Sequence, residues 1–157
     1  MSSLPASSTP LVWPGLAGFY ATMREVTYLI LRIAAGLMIA PHGCQKLFAW
    51  FGGGGITGTT KFFASLHLMP AEPLAIFVGA LEVFGGVLLA LGLFTRPIAA
   101  AFAIEMAVVT VHLTWPRGAF FLPQGAEFGL VLGFLFFFLS IIGGGKWSLD
   151  AAIGKEV

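Results

Sequence analysis

The chain has 157 residues, of which 58% are hydrophobic and only 10% charged, and its mean hydropathy is +0.95. A soluble domain carries about a quarter of its residues as Asp, Glu, Lys and Arg, so this chain lacks the polar surface to close a water-soluble globule and its solvent is expected to be lipid. A net charge of +1 gives no electrostatic case for a nucleic-acid partner, and a single cysteine, Cys44, excludes both an intrachain disulfide and a cysteine-rich metal cluster.

In chain order, residues 1–24 read as a proline-rich leader, poorly ordered or interfacial. Pro5, Pro10 and Pro14 interrupt it, and Trp13, Phe19 and Tyr20 suit the headgroup region. A cleaved secretory signal would need a basic start and an unbroken apolar run, and neither is present. Residues 25–150 form the membrane domain. Its spans are expected at 26–48, 73–94, 97–115 and 125–144, each near the roughly 20 apolar residues that cross a bilayer. Breakers bound them: the glycine run 52–55, Pro70 and Pro73, Arg96-Pro97, Pro116 to Pro123, and Gly143 to Gly145. Stretches such as "FLFFFL" lack the two-residue alternation of a membrane strand. The fold class is therefore all-α, an integral membrane four-helix bundle. Residues 61–68, "KFFASLHL", suggest a short surface helix in the first loop, and residues 151–157 a C-terminal tail. Arg24, Arg96, Lys146 and Lys155 fall on one side, and Lys46, Lys61 and Arg117 on the other, so the positive-inside rule puts both termini in the cytoplasm.

Charges within a span are costly and mark the places to look for function. Counted from the terminal side at 1.5 Å per residue, Arg32 lies about 9 Å into the first helix, Glu105 about 12 Å into the third and Glu82 about 18 Å into the second. An intramembrane polar cluster of Arg32, Glu82 and Glu105 is expected, with the guanidinium reaching one of the carboxylates. On the opposite side, His42 and Lys46 end the first helix, His112 ends the third and Glu127 opens the fourth. His42 and Lys46 share a helix face because they are four apart, as do Glu105 and His112 at seven. Pro41 removes a backbone donor and is expected to kink or end the first helix, turning His42 and Lys46 towards a polar mouth. A metal site of His42, His112 and Glu127 has a suitable donor set but no supporting spacing, and no metal is expected. The run "GGGGITGTTK" follows no strand and lacks the Gly-Lys-Ser/Thr context of a phosphate loop.

Several of these elements together resemble the DoxX family of small bacterial and archaeal membrane proteins. They are Arg32, His42-Gly43-x-x-Lys46, Glu82 with Gly85-Gly86, Gly92-x-x-Thr95-Arg96, Glu127, and Gly145-x-x-Ser148-Leu149-Asp150, over about residues 28–150. The proline-rich leader and Cys44 within the His-x-x-x-Lys element depart from the family pattern. The resemblance implies a four-helix membrane protein of the bacterial or archaeal cytoplasmic membrane. It also implies a subunit of a quinone-linked redox system, of the kind that includes terminal quinol oxidase and thiosulfate:quinone oxidoreductase. The chain has no dinucleotide fingerprint and no haem ligand pair, so no intrinsic cofactor is expected beyond a bound quinone, and electrons would come from a partner subunit. His42, Lys46, His112 and Glu127 are the candidate quinone contacts, the ionisable groups serving as donors and proton relays. Two other classes fit the same residues: an assembly subunit docked to a larger membrane complex, and a homo-oligomeric pathway for protons or small solutes.

Overall fold

The structure, a computed structural model, describes residues 9–117 and 125–155. A single turn at Pro14–Leu16 leads into α1 (Ala17–Phe48), followed by α2 (Gly55–Ser65), α3 (Ala71–Leu91), α4 (Thr95–Thr114), α5 (Glu127–Ile142) and α6 (Leu149–Ile153). No strand occurs among the described residues. The helices α1, α3 and α4 are long and apolar enough to cross a membrane. At 16 residues α5 is shorter than the expected span, because Gly143 leaves the helix at φ +86°.

α1 begins within the expected leader. Pro14, at the first position of the leading turn, presets a helical φ without losing a needed donor. The 32 residues of α1 extend about 48 Å, well beyond a hydrocarbon core of about 30 Å. Its first turns carry exposed Phe19 and Tyr20 and follow exposed Trp13, which suits an interfacial position. Of the kink or end expected at Pro41, the end does not occur. α1 runs through it to Phe48, where Ala49 takes up the left-handed conformation. The proline's missing hydrogen bond is offset by packing on either side, since Ile39 and Gly43 are both buried.

Two antiparallel pairs make the bundle, α1 along α3 and α4 along α5. Glycines set the first contact. Gly36 lies against Gly86 and Gly43 against Gly79, each pair seven residues apart on its helix, so the two backbones touch along one seam. A methyl group on Gly43 would sit 2.6 Å from both the Gly79 carbonyl oxygen and the Val83 nitrogen. Gly43→Val is therefore expected to destabilise the protein by about 1–3 kcal/mol through overpacking. Thermal unfolding in detergent checks this, and an unchanged melting temperature would mean that the seam can open freely. In the second pair, the Phe102 and Phe136 rings are fully buried with centroids 5.0 Å apart.

The C-terminal segment clips the terminal ends of the helices together. Asp150 Oδ1 and Oδ2 accept from the backbone nitrogens of Phe94 (2.9 Å) and Thr95 (3.0 Å), capping α4. Its own backbone nitrogen donates to the Gly92 carbonyl at 2.9 Å. Ser148 Oγ accepts from Ala151 N at 3.0 Å and caps α6, which runs across the expected boundary at 150. Arg32, 1% exposed, donates to the carbonyls of Gly144, Trp147 (2.8 Å) and Ala90 (3.4 Å), and the Tyr28 hydroxyl donates to the Gly143 carbonyl. Arg96 similarly donates to the carbonyls of Ser140, Ile141 and Ile142 at the end of α5. The expected pairing of Arg32 with a span carboxylate is thus corrected. The glycine-rich turn after α5 offers carbonyls with no helical partner, and the guanidinium fork satisfies them.

Candidate functional site

With Arg32 occupied in the clip, the remaining intramembrane charges gather elsewhere. Lys46 Nζ donates to both carboxylate oxygens of Glu82, whose side chain is 3% exposed against 26% for Lys46. The glycine seam makes this possible. A Cβ at Gly79 would stand 3.4 Å from Lys46 Cβ, so Lys46 starts level with Gly79 and its stem runs one turn along α3 to Glu82. Glu105, on α4, approaches Glu82 closely enough for the two carboxyls to share a hydrogen bond, and its Oε2 is buried with no donor from the protein.

Two local departures from α-helix lie at this level. Leu81–Gly85, which carries Glu82, and Val109–Thr114, which carries His112, are wound as π-helix. Such turns are frequent at functional sites, because the extra residue per turn shifts side chains off the regular helical faces. Here both π-turns face the same space.

That space is a cavity of about 740 Å³ between the α1–α3 pair and the α4–α5 pair, with α2 across one end. His42, Lys46, Glu82, Glu105 and His112 line it. The rest of its wall is almost wholly apolar, including Met38, Ile39, Phe63, Leu74, Val78, Leu81, Met106, Val109 and Leu132. Phe77, Ile104 and Phe128 line it while remaining strongly exposed on the outer surface, so the cavity opens sideways, where lipid would lie. Thr59 of α2 donates to the Gly55 carbonyl (2.8 Å) and to the Lys46 carbonyl (3.3 Å), which ties the lid-like helix to the end of α1.

The expected two layers are therefore redistributed. Glu82 and Glu105 join His42, Lys46 and His112 around one cavity, and Arg32 stands apart. Glu127 opens α5, but the cavity wall there is made by Gly125, Phe128 and Gly129. Among the described residues no three His, Cys, Asp or Glu side chains come together as a metal site, so His42, His112 and Glu127 do not converge. Cys44 is half-buried as a free thiol. Sequence reasoning assigned no role to Asp150 or Tyr28. The pattern Gly-x-x-Ser-Leu-Asp, with a capping serine before an acidic residue, was the available signal for Asp150.

The arrangement can hold a lipid-soluble molecule with a polar ring at its charged end and a hydrocarbon tail along the apolar wall. The DoxX family model matches residues 27–115. The "Putative oxidoreductase CatD" of Bacillus subtilis (strain 168) is 32% identical over 133 residues, covering 83% of this chain and 90% of its own. An "Uncharacterized protein" of Haemophilus influenzae is 31% identical over 140 residues, covering 85% and 95%. The "Inner membrane protein YphA" of Escherichia coli (strain K12) is 32% identical over 136 residues, covering 83% and 93%. No solved structure matches the chain.

Proposed function

This chain belongs to the DoxX family, and from that premise we propose that it is the membrane subunit of a quinone-linked redox system, holding a quinone-type ring in the cavity between its helix pairs. One observation carries the reading: an apolar cavity of about 740 Å³, open towards lipid, has the Lys46–Glu82 ion pair in its wall. The ring's oxygens would meet the third N–H of Lys46 and the imidazoles of His42 and His112, while the isoprenoid tail lies between Phe77, Ile104 and Phe128. Glu82 and Glu105 would exchange the protons that accompany a change of redox state. Electrons would pass to or from a partner subunit, in keeping with the oxidoreductase name of the Bacillus relative. The inner-membrane name of the Escherichia relative supports a multi-pass protein of a bacterial inner membrane, and from the Lys and Arg distribution of this chain we infer that both termini lie on the cytoplasmic side.

Native mass spectrometry of gently extracted protein, followed by titration of the delipidated protein with a short-tailed quinone, tests the reading. His42→Ala and His112→Ala should each weaken binding about tenfold, the loss of one hydrogen bond in an apolar site. Val78→Trp, which fills the cavity, should abolish binding, and Glu127→Gln should leave it unchanged. Wild-type affinity in all of the cavity variants would overturn the assignment.

A further inference from the structure

The two ends of the bundle differ in what they offer a proton. On the terminal side, between the clip and the carboxyls, the interior is filled by Ala35, Leu89, Ala99, Phe102, Phe136 and Leu139, each at most 2% exposed. None of these side chains can donate or accept a hydrogen bond. The layer is thick. Arg32 marks its far edge at the Ala90 carbonyl, and Glu82 stands eight residues back along α3, about 12 Å away. Towards α2, polar groups continue. Lys46 keeps 26% of its side chain exposed and starts level with Gly79, one turn nearer that end than Glu82. His112 stands seven residues beyond Glu105, about 10 Å nearer the end of α4 at Thr114. It lines the cavity and is itself exposed, although α2 lies across this end.

Two carboxylates offer acceptors only, so the hydrogen bond that Glu82 and Glu105 share requires a proton between them. With Lys46 on Glu82 the group is then neutral as a whole: one ammonium, one carboxylate, one carboxylic acid. We propose that this shared proton exchanges with water on one face of the membrane only, the face at the α2 end, by way of His112. A proton moves along donors, acceptors or ordered water, and a close-packed apolar layer about 12 Å thick holds none of these. On release, the O–H bond of the pair breaks and both carboxylates remain beside the Lys46 ammonium. The His112 imidazole takes the proton and passes it to water; uptake is the reverse. His42 is the other titratable group in the cavity wall, but it sits a turn deeper than Lys46 and does not extend the route. Among the described residues, α2 and α5 contribute only apolar side chains and glycine to that wall. The inference rests on the proton exchange given above to Glu82 and Glu105 and adds its direction; with both termini cytoplasmic, the open face is the outer one.

Infrared spectroscopy of the full-length protein in sealed vesicles reads the proton through the C=O stretch that a carboxylic acid shows and a carboxylate lacks. Glu105→Gln and Glu82→Gln assign the band, because each leaves Lys46 with a single carboxylate. Two vesicle preparations of opposite orientation bias are compared, the bias being measured by protease removal of a C-terminal tag. The outside pH is raised while the interior stays buffered at neutral pH, and a protonophore is then added. In both preparations the fraction of the band lost at the first step should equal the fraction of molecules with the α2 end outward. The remainder should go only with the protonophore. His112→Ala should slow the first step at least about tenfold and leave its amplitude unchanged. The wild-type comparison stands even if a variant fails to fold. A loss that follows the terminal end, or that is complete before the protonophore, would overturn the one-sided route. An unchanged rate in His112→Ala would remove His112 from it. Absence of the band at neutral pH, or its survival after the protonophore, would overturn the exchangeable proton itself. No ring ligand is present in these measurements, so quinone binding stands or falls separately by the titration above.

Discussion

An Arg32→Met variant should lose about 3–5 kcal/mol of folding stability, as expected when a buried charged group that joins several partners is removed. Arg32 is 1% exposed and spans three carbonyls, those of Gly144, Trp147 and Ala90, from the turn after α5 and the end of α3. Methionine fills much of the volume but leaves those oxygens without a donor in a place that neither water nor lipid headgroups can reach. Asp150, close enough to attract the guanidinium, loses its nearby cation as well. Arg32→Lys should recover less than half of the loss, because a single ammonium cannot reproduce the planar fork. Arg96 makes similar bonds at a more exposed position, so Arg96→Met should cost only about 1 kcal/mol. Denaturant unfolding in detergent micelles measures all three. Equal losses for Arg32→Met and Arg96→Met would show that the clip gains nothing from burial.

Breaking the Lys46–Glu82 pair from one side should be nearly as damaging, and breaking it from both sides should not. Lys46→Met leaves a carboxylate that is 3% exposed beside Glu105 with no cation, and the expected loss is about 3 kcal/mol, the low end for buried pairs because Lys46 keeps 26% of its side chain exposed. The double variant Lys46→Met with Glu82→Leu removes both charges and should return to within about 1 kcal/mol of the native protein. It should nonetheless fail to bind the quinone-type probes. That separation of stability from binding is the useful readout. If the double variant is as unstable as the single one, the pair acts through packing rather than charge.

Much of this protein was legible before its fold was known. Length of apolar runs and the position of Gly and Pro give α3, α4 and the end of α1 to within a few residues, whereas α1 starts at Ala17, nine residues before the expected span; the solvent follows from composition. The seven-residue spacing of Glu105 and His112, and the four of His42 and Lys46, correctly place each pair on a common helix face. What failed was the assignment of partners across helices. Depth along a span is a one-dimensional coordinate, and by depth alone Arg32 is a natural mate for Glu82 or Glu105. Which neighbour it meets depends on the rotation of α1 about its axis and on which backbone lies beside it. The turn at 143–145 lies over Arg32 because Asp150 binds the start of α4 and draws the C-terminal segment back across the bundle.

By itself the sequence determined an all-helical membrane protein, its spans, its breakers and the small set of ionisable residues that any function must use. Hydropathy and helical period are local properties, and lipid as solvent leaves few alternatives for a chain with so little charge. The tertiary structure alone decided how those residues divide. The antiparallel contact of Gly36 and Gly43 with Gly86 and Gly79 sets the register of α1 on α3, and that register brings Lys46 to Glu82 and leaves Arg32 at the carbonyls of the C-terminal clip. Packing of α4 on α5 as a second pair opens the cavity between them. Register and cavity both arise from backbones meeting at close range, over separations that no pattern within one helix records.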